Sequence, residues 1–243
     1  NAMAESYQLA EDDPDLATAW SSISEQQINR FLHVPESSLD LVQKNKLQRR
    51  MGQLTGTCFQ RCAGLDTLSV LFSITYDIDK QHGTPYHERF VSFLKKAQSH
   101  NLIVGAGMTD PKGDRSKRPS NQSDPDLFMH VTRRTKEGLY VKGAKAHMTG
   151  GLNSHWICVM PTMNMLEADK DYAVIGMVPA TAPGLTYVYG RQSCDTRALE
   201  PGDIDKGNAK YGGQETLVIF DDVFIPWAHV LMDGEYEFAQ ALV

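Results

Sequence analysis

The sequence is short of several things, and each shortage narrows what the chain does. It has only 4 cysteines in 243 residues, too few for a disulfide framework, so Cys58, Cys62, Cys158 and Cys194 read as reduced thiols. It lacks an excess of basic residues: 24 Lys and Arg face 30 Asp and Glu, a net charge of −6. That balance argues against a general nucleic-acid or anionic-membrane binder and makes any anion site a local one. No apolar run is long enough to span a bilayer, and the start lacks the basic, apolar and small-residue order of a secretory signal. A cytoplasmic protein with no nucleic-acid or membrane partner is therefore expected. Internal repeats and low-complexity tracts are missing too. What remains is an ordinary globular composition, 41% hydrophobic and 22% charged, with length enough for one large domain or two smaller ones. Asn1-Ala2 ahead of Met3 reads as the remnant of an expression tag.

The stretch that organises the chain is Thr57-Cys58-Phe59-Gln60-Arg61-Cys62-Ala63-Gly64-Leu65-Asp66. Read as helix, it stacks Cys58 and Cys62 on one face, because the helix repeats every 3.6 residues. Leu47, Met51, Leu54, Leu65, Leu68 and Phe72 continue the same progression, which predicts that both thiols sit on an apolar seam and point inward. Two readings stay open at this point. Core cysteines pack as small hydrophobes, whereas paired thiolates ligate iron-sulfur clusters. The CxxxC spacing matches neither the usual zinc nor the usual redox pattern.

From Glu5 to about Asn101 the chain reads as helix-rich. Asp12-Asp13-Pro14-Asp15 is a helix start, predicting helix over Leu16 to Phe31. Ser37-Ser38 caps a helix from near Leu39 whose Lys44, Lys46, Arg49 and Arg50 form a solvated basic face. Gly52 and Gly56 predict a bend or break just before the cysteines. Helix then resumes through Ile78, and His82-Gly83-Thr84-Pro85 separates it from a last helix, Tyr86 to about Ser99, with Phe90, Phe93, Leu94 and Ala97 buried.

After Gly105 the texture changes to short strands and turns. Val131 to Arg134 and Leu139 to Ala146 flank Thr135-Lys136-Glu137-Gly138, read as a hairpin whose glycine takes the strained position. Trp156 to Met160, Tyr172 to Val178, Leu185 to Tyr189 and Thr216 to Phe220 are further strand candidates. Their spacing favours an antiparallel sheet or barrel. The fold class expected is thus α+β: a helical N-terminal domain over residues 1–105 and an antiparallel β-barrel-like domain over 106–235. Residues 236–243 read as the first turns of a further helix.

Several polar clusters decorate the second part. Met108-Thr109-Asp110-Pro111-Lys112-Gly113-Asp114-Arg115 is turn chemistry, yet Lys112, Arg115, Lys117 and Arg118 crowd four cations into seven residues, which suits a phosphate-bearing ligand. His147, Met148, Thr149, Asn153 and His155 surround a Gly-Gly that lets backbone approach a ligand. Glu215, after Gly212-Gly213-Gln214 and before Leu217-Val218-Ile219-Phe220, reads either as a buried carboxylate with a raised pKa or as a strand-edge charge. Arg191, Asp195 and Arg197 around Cys194 read as an ion-pair network.

Together CFQRCAGLD, TYDID, MTDPKGDR, DPDLF, GAKAHMTG, EADKDYAV, YGRQSCDTR, GGQE and FDDVFIP resemble the 4-hydroxybutyryl-CoA dehydratase branch of the 4-hydroxyphenylacetate 3-hydroxylase family, flavoproteins with the acyl-CoA dehydrogenase fold. The segments run in the family's order from Tyr7 to Val243. The resemblance implies FAD, a [4Fe-4S] cluster and a CoA-thioester substrate, with radical dehydration of 4-hydroxybutyryl-CoA to crotonyl-CoA and isomerisation of vinylacetyl-CoA. Carried over by motif, Cys58 and Cys62 would be cluster ligands and Gln60 would lie near the substrate. Met108, Thr109, Asp110, Pro111, Lys112, Gly113, Asp114, Arg115, His147, Met148 and Thr149 would contact FAD, Thr149 nearest the isoalloxazine, and Glu215 would be an active-site carboxylate. The family's other cluster ligands, a histidine and a cysteine, and its C-terminal helical bundle are expected beyond Val243. A homotetramer is implied for the full-length protein, with a chain this short inactive alone. The competing expectations are a flavin-dependent aromatic monooxygenase of the same family, which needs no cysteine pair, and a non-catalytic flavin-binding remnant.

Overall fold

The structure, a computed structural model, describes residues 2–56, 58–59, 61–189, 211 and 215–242. Its first part is helical, as the sequence suggests: α1 (Ala2–Asp12), α2 (Pro14–Ala17), α3 (Ser38–Thr55), α4 (Cys62–His82) and α5 (Tyr86–Ser99). The ends follow local chemistry. Ser37 accepts from the Asp40 amide to open α3, and Gly56 closes it at φ 63 in the left-handed region. Gly83, at φ 68, closes α4 in the same way. Pro85 offers α5 no side-chain cap, so Asp79 of α4 reaches across and accepts from the Tyr86 and His87 amides, both at 2.8 Å. Phe90, Phe93, Leu94 and Ala97 are buried. Ala2, read above as part of a tag remnant, is buried, and so is Met3.

Four expectations fail here, the first being the solvated place of Lys44, which is buried and donates to the Ser69 hydroxyl at 3.1 Å. Leu16 to Phe31 is not one helix: α2 stops at Ala17, and β1 (Thr18–Ser21) pairs with β2 (Gln26–Asn29) in a hairpin. The reason lies in Ser21, whose hydroxyl accepts from the amides of Ile23 and Ser24 and so offers the backbone a turn in place of helix. Gly138 is not the strained turn residue but the first residue of β5, where a Cβ would lie 2.2 Å from the carbonyl oxygen of Ile225. The cysteine stretch is not helical throughout. α3 ends at Thr55 and α4 begins at Cys62, so Cys58 lies in the connection.

The second part contains β3 (Val104–Gly107), β4 (His130–Arg134), β5 (Gly138–Thr149), β6 (Trp156–Val159), β7 (Val174–Pro179), β8 (Leu185–Val188), β9 (Glu215–Pro226) and β10 (Val230–Asp233). They form two four-stranded sheets, ordered β10-β7-β6-β3 and β4-β5-β9-β8. Among the described residues these sheets do not close into a barrel, and one pair, β3 with β6, is parallel rather than antiparallel. β3 arrives straight from α5, and this direction of approach lets it lie beside β6 with Val104 opposite Trp156. One core runs from Leu71, Phe90 and Leu94 of the helices through Ile157, Val159, Ile175 and Met177 to Val141, Phe220 and Ile225. The expected division between residues 105 and 106 therefore falls inside β3. No described helix is long and apolar enough to cross a membrane.

Helix and sheet meet without a side chain between them at Gly64, where a Cβ would sit 1.9 Å from the carbonyl oxygen of Val104. Gly64→Ala is therefore expected to destabilise the protein by about 3 kcal/mol. Gly52→Ala, in a helix with nothing within 4 Å of the added carbon, is expected to stabilise it by up to about 1 kcal/mol. Urea unfolding of the two variants checks the opposite signs.

Candidate active site

Three groups of side chains stand on or beside β3, β5 and the start of α4. The first is the loop after β3. Lys145, on β5, is 2% exposed, and its ammonium pairs with Asp110 Oδ1 at 2.7 Å while donating to the carbonyls of Met108 (3.2 Å) and Met160 (2.9 Å). The Ala146 amide donates to the Thr109 carbonyl at 2.7 Å, and the Thr162 hydroxyl donates to that of Met108. The start of the loop is thus held by a buried cation that directs each of its three protons at an oxygen. Beyond it opens a cavity of about 270 Å3 lined by Thr109, Asp110, Pro111, Lys112, Arg115 and Lys117, among others. Lys112, Arg115 and Lys117 are exposed, and Asp114, which also lines the cavity, pairs with Lys117 at 3.7 Å, so Lys112 and Arg115 leave the rim with an excess of positive charge that can receive a phosphate. Gly113 turns at φ 41 where a Cβ would strike Leu127 at 2.3 Å. Asp114 bonds Ser116, which holds its carboxyl below the usual carboxylate range.

The second group follows the bulge in β5. His147 sits at φ 51 where the β5–β9 register shifts between Lys145 and Met148, and its side chain is exposed. The bulge restores the alternation, so Met148 is fully buried and can offer a ligand only its backbone, whereas Thr149 faces outward opposite Glu215. The Thr149 hydroxyl donates to Glu215 Oε2 at 3.0 Å. Burial raises the Glu215 carboxyl above its ordinary range, although the side chain remains open to solvent, and the Thr149 bond and the nearby His147 imidazole draw it partly back. His155 has a structural role, in which its Nδ1 accepts from the Ile103 amide at 2.9 Å.

The third group is the cysteine pair. Cys58 is exposed, contrary to the expectation of an inward thiol, and Cys62, the first residue of α4, is half-buried. Their sulfurs nonetheless stand 3.9 Å apart. The hydrogen bond between them, followed by burial, pushes the Cys62 thiol far up. A soft cation that displaces the protons removes that penalty, so the donor set fits half of a thiolate-held cluster site. No group of three or more metal-ligating side chains occurs among the described residues. Cys158 does not complete it: it is fully buried in the core, with its thiol pushed up to about 12 by desolvation. Tyr211 packs on the same apolar cluster as Cys62 and Phe59. Gln60, Gly212 to Gln214, and Arg191, Cys194, Asp195 and Arg197 lie outside the described residues.

Sequence reasoning missed Lys145, although the signal was there to be read: with Leu139, Val141 and Gly143 it shares the inward phase of β5, and a lysine on that phase needs a buried partner.

A family model described as the N-terminal part of 4-hydroxyphenylacetate 3-hydroxylase matches residues 1–232. The chain is 51% identical over 246 residues to the 4-hydroxybutyryl-CoA dehydratase/vinylacetyl-CoA-Delta-isomerase of Clostridium aminobutyricum, covering 100% of this chain and 50% of that protein. Its identity to the 4-hydroxyphenylacetate 3-monooxygenase oxygenase component of Geobacillus sp. (strain PA-9) is 22% over 245 residues, 96% of this chain and 47% of that one. Among solved structures, an oxygen-tolerant archaeal 4-hydroxybutyryl-CoA dehydratase from N. maritimus superposes with a TM-score of 0.94 at 59% identity, over 99% of this chain and 48% of that one. The oxygenase component of 4-hydroxyphenylacetate 3-monooxygenase complexed with FAD superposes at 0.80 and 22% identity, over 99% and 49%, which speaks to fold alone. The chain spans about half the length of the relatives it matches.

Two measurements test this geometry. Lys145→Met leaves Asp110 buried without its partner and is expected to cost about 3–5 kcal/mol in urea unfolding, most of it recovered in Lys145→Met/Asp110→Asn. Glu215 is expected to titrate above the ordinary carboxylate range by carbon-detected NMR, and Thr149→Val to move it higher, since the lost hydrogen bond favours the ionised form. Native Glu215 keeps its proton to higher pH than the unfolded chain does. Its contribution to stability is therefore present below the ordinary range and lost as pH rises through the native value.

Proposed function

The chain belongs to the 4-hydroxyphenylacetate 3-hydroxylase family, and from that membership we propose that the full-length protein is a FAD- and [4Fe-4S]-dependent dehydratase. Its substrate would be 4-hydroxybutyryl-CoA, its product crotonyl-CoA, and vinylacetyl-CoA isomerisation its second activity. The observation that carries this reading is the thiol pair. Two cysteines from different secondary-structure contexts bring their sulfurs to 3.9 Å at a half-open surface, a costly arrangement for mere packing and a natural one for shared metal. The 51% identity across the whole chain to a dehydratase supports the same reading over the phenol monooxygenase one, whose relatives stand at 22–29%. The full-length protein would be a cytoplasmic homotetramer.

In this reading the flavin supplies one-electron redox chemistry and the cluster supplies Lewis acidity toward the departing hydroxyl. The chain's own residues do the rest. Lys145 fixes the start of the 108–115 loop, leaving Thr109 and Asp110 on the cavity wall beside the exposed Lys112 and Arg115, which would receive phosphate oxygens. Thr149 presents its hydroxyl to the same surface as Glu215 and orients that carboxyl through their 3.0 Å bond. Glu215, held toward its protonated form by burial, is suited to carry a proton to or from a substrate carbon or oxygen. Cys58 and Cys62 would supply two of the four cluster ligands.

Cys62→Ser in the full-length protein is expected to lose iron and to reduce dehydratase turnover by more than about 100-fold, since even residues that only support a ligand cost 10–100-fold. Iron content and turnover both equal to the unsubstituted protein would overturn the assignment.

A further inference from the structure

The turn that carries the cysteines is inverted relative to a simple surface loop. Phe59 and Arg61 are buried, while Cys58 is exposed and Cys62 is half-exposed. Arg61 is only 3% exposed. Its guanidinium lies 5.1 Å from the ring centroid of Tyr7 and 5.2 Å from that of Phe31, donates to the Ser6 hydroxyl at 3.0 Å, and donates to Asn101 Oδ1 at 3.3 Å. Among the described residues no carboxylate pairs with it. A buried cation held by two aromatic faces and two neutral oxygens is an expensive structural element, and it stands next in sequence to the thiols.

The partners are themselves fixed. Asn101 adopts φ 49, and its carbonyl accepts from the Tyr7 hydroxyl at 2.8 Å; the Ser6 hydroxyl donates to the Met3 carbonyl; Phe59 packs on Phe31 with centroids 5.3 Å apart. The turn is therefore clamped to α1, to Phe31 after β2, and to Asn101 before β3.

We propose that Arg61 is the positioning residue of the cysteine pair: its buried guanidinium clamps the turn that carries Cys58 and Cys62 so that both sulfurs meet at one point before metal arrives. The inference rests on the reading of Cys58 and Cys62 as a metal site and adds to it the element that preorganises them.

The test is a titration of the reduced, metal-stripped full-length protein with Cd2+ alone, followed by the cadmium–thiolate absorption band. Arg61→Met is expected to weaken binding by about tenfold or more. Asn101→Gly deletes one acceptor of the clamp, keeps a residue at ease with positive φ, and is expected to weaken binding by a smaller factor. Phe90→Leu, a core change away from the turn, is expected to lower stability and leave Cd2+ affinity unchanged, which separates positioning from general stability. Wild-type affinity in folded Arg61→Met and Asn101→Gly would overturn the proposal. If Arg61→Met fails to fold, Asn101→Gly and Ser6→Ala decide by the same criterion. Cys62→Ser binding Cd2+ as tightly as the unsubstituted protein would instead sink the metal site itself.

Discussion

The contact between Gly64 and the Val104 carbonyl is the one on which the rest of the site depends. Two residues before Gly64 stands Cys62, and four residues after Val104 begins the loop at Met108. The thiol side and the cationic cavity are therefore hung from the two partners of a single backbone approach, and any side chain at residue 64 would push them apart. The parallel pairing of β3 with β6 then commits the loop to one direction, and Lys145 fastens it there. Rigid elements, rather than the loops themselves, define where the functional groups stand.

Two buried cations frame the site and are satisfied by different means. Lys145 is a compact point charge with three donors, and it receives one carboxylate and two carbonyls. Arg61 is a flat, weakly hydrated fork, and it receives two aromatic faces and two neutral oxygens. The first pair is electrically closed and serves the loop alone. The second has no paired carboxylate among the described residues and serves the turn that holds the thiols.

Much of this was legible in the sequence, and the failures have physical causes. Helix limits at Ser37, Gly56 and Gly83 followed from a cap and left-handed glycines, which are local events. Thr149 and Glu215, 66 residues apart, were each singled out, but their hydrogen bond depends on strand register and a bulge that no local pattern fixes. The helix expected over Leu16 to Phe31 failed because a serine hydroxyl outcompeted the backbone at Ser21. The cysteine pair was found by residue type and placed by the wrong geometry: the apolar progression from Leu47 to Phe72 runs through two helices, not one, and the break between them exposes Cys58. Arg61 escaped attention because arginine is read as a surface residue unless a carboxylate is seen nearby.

The long-range pairing of β5 with β9 has a consequence during synthesis. The thiols of Cys58 and Cys62 are made roughly 150 residues before Glu215, an interval on the order of ten seconds at ribosomal speed. For the last 66 residues of that interval, once Thr149 has been made, β5 has its hairpin neighbour β4 but not the 12-residue strand that covers its other edge. The nascent chain thus carries two adjacent reduced sulfurs and an open strand edge together, and the order of translation makes shielding by a chaperone or an early metal carrier most valuable before β9 has left the tunnel.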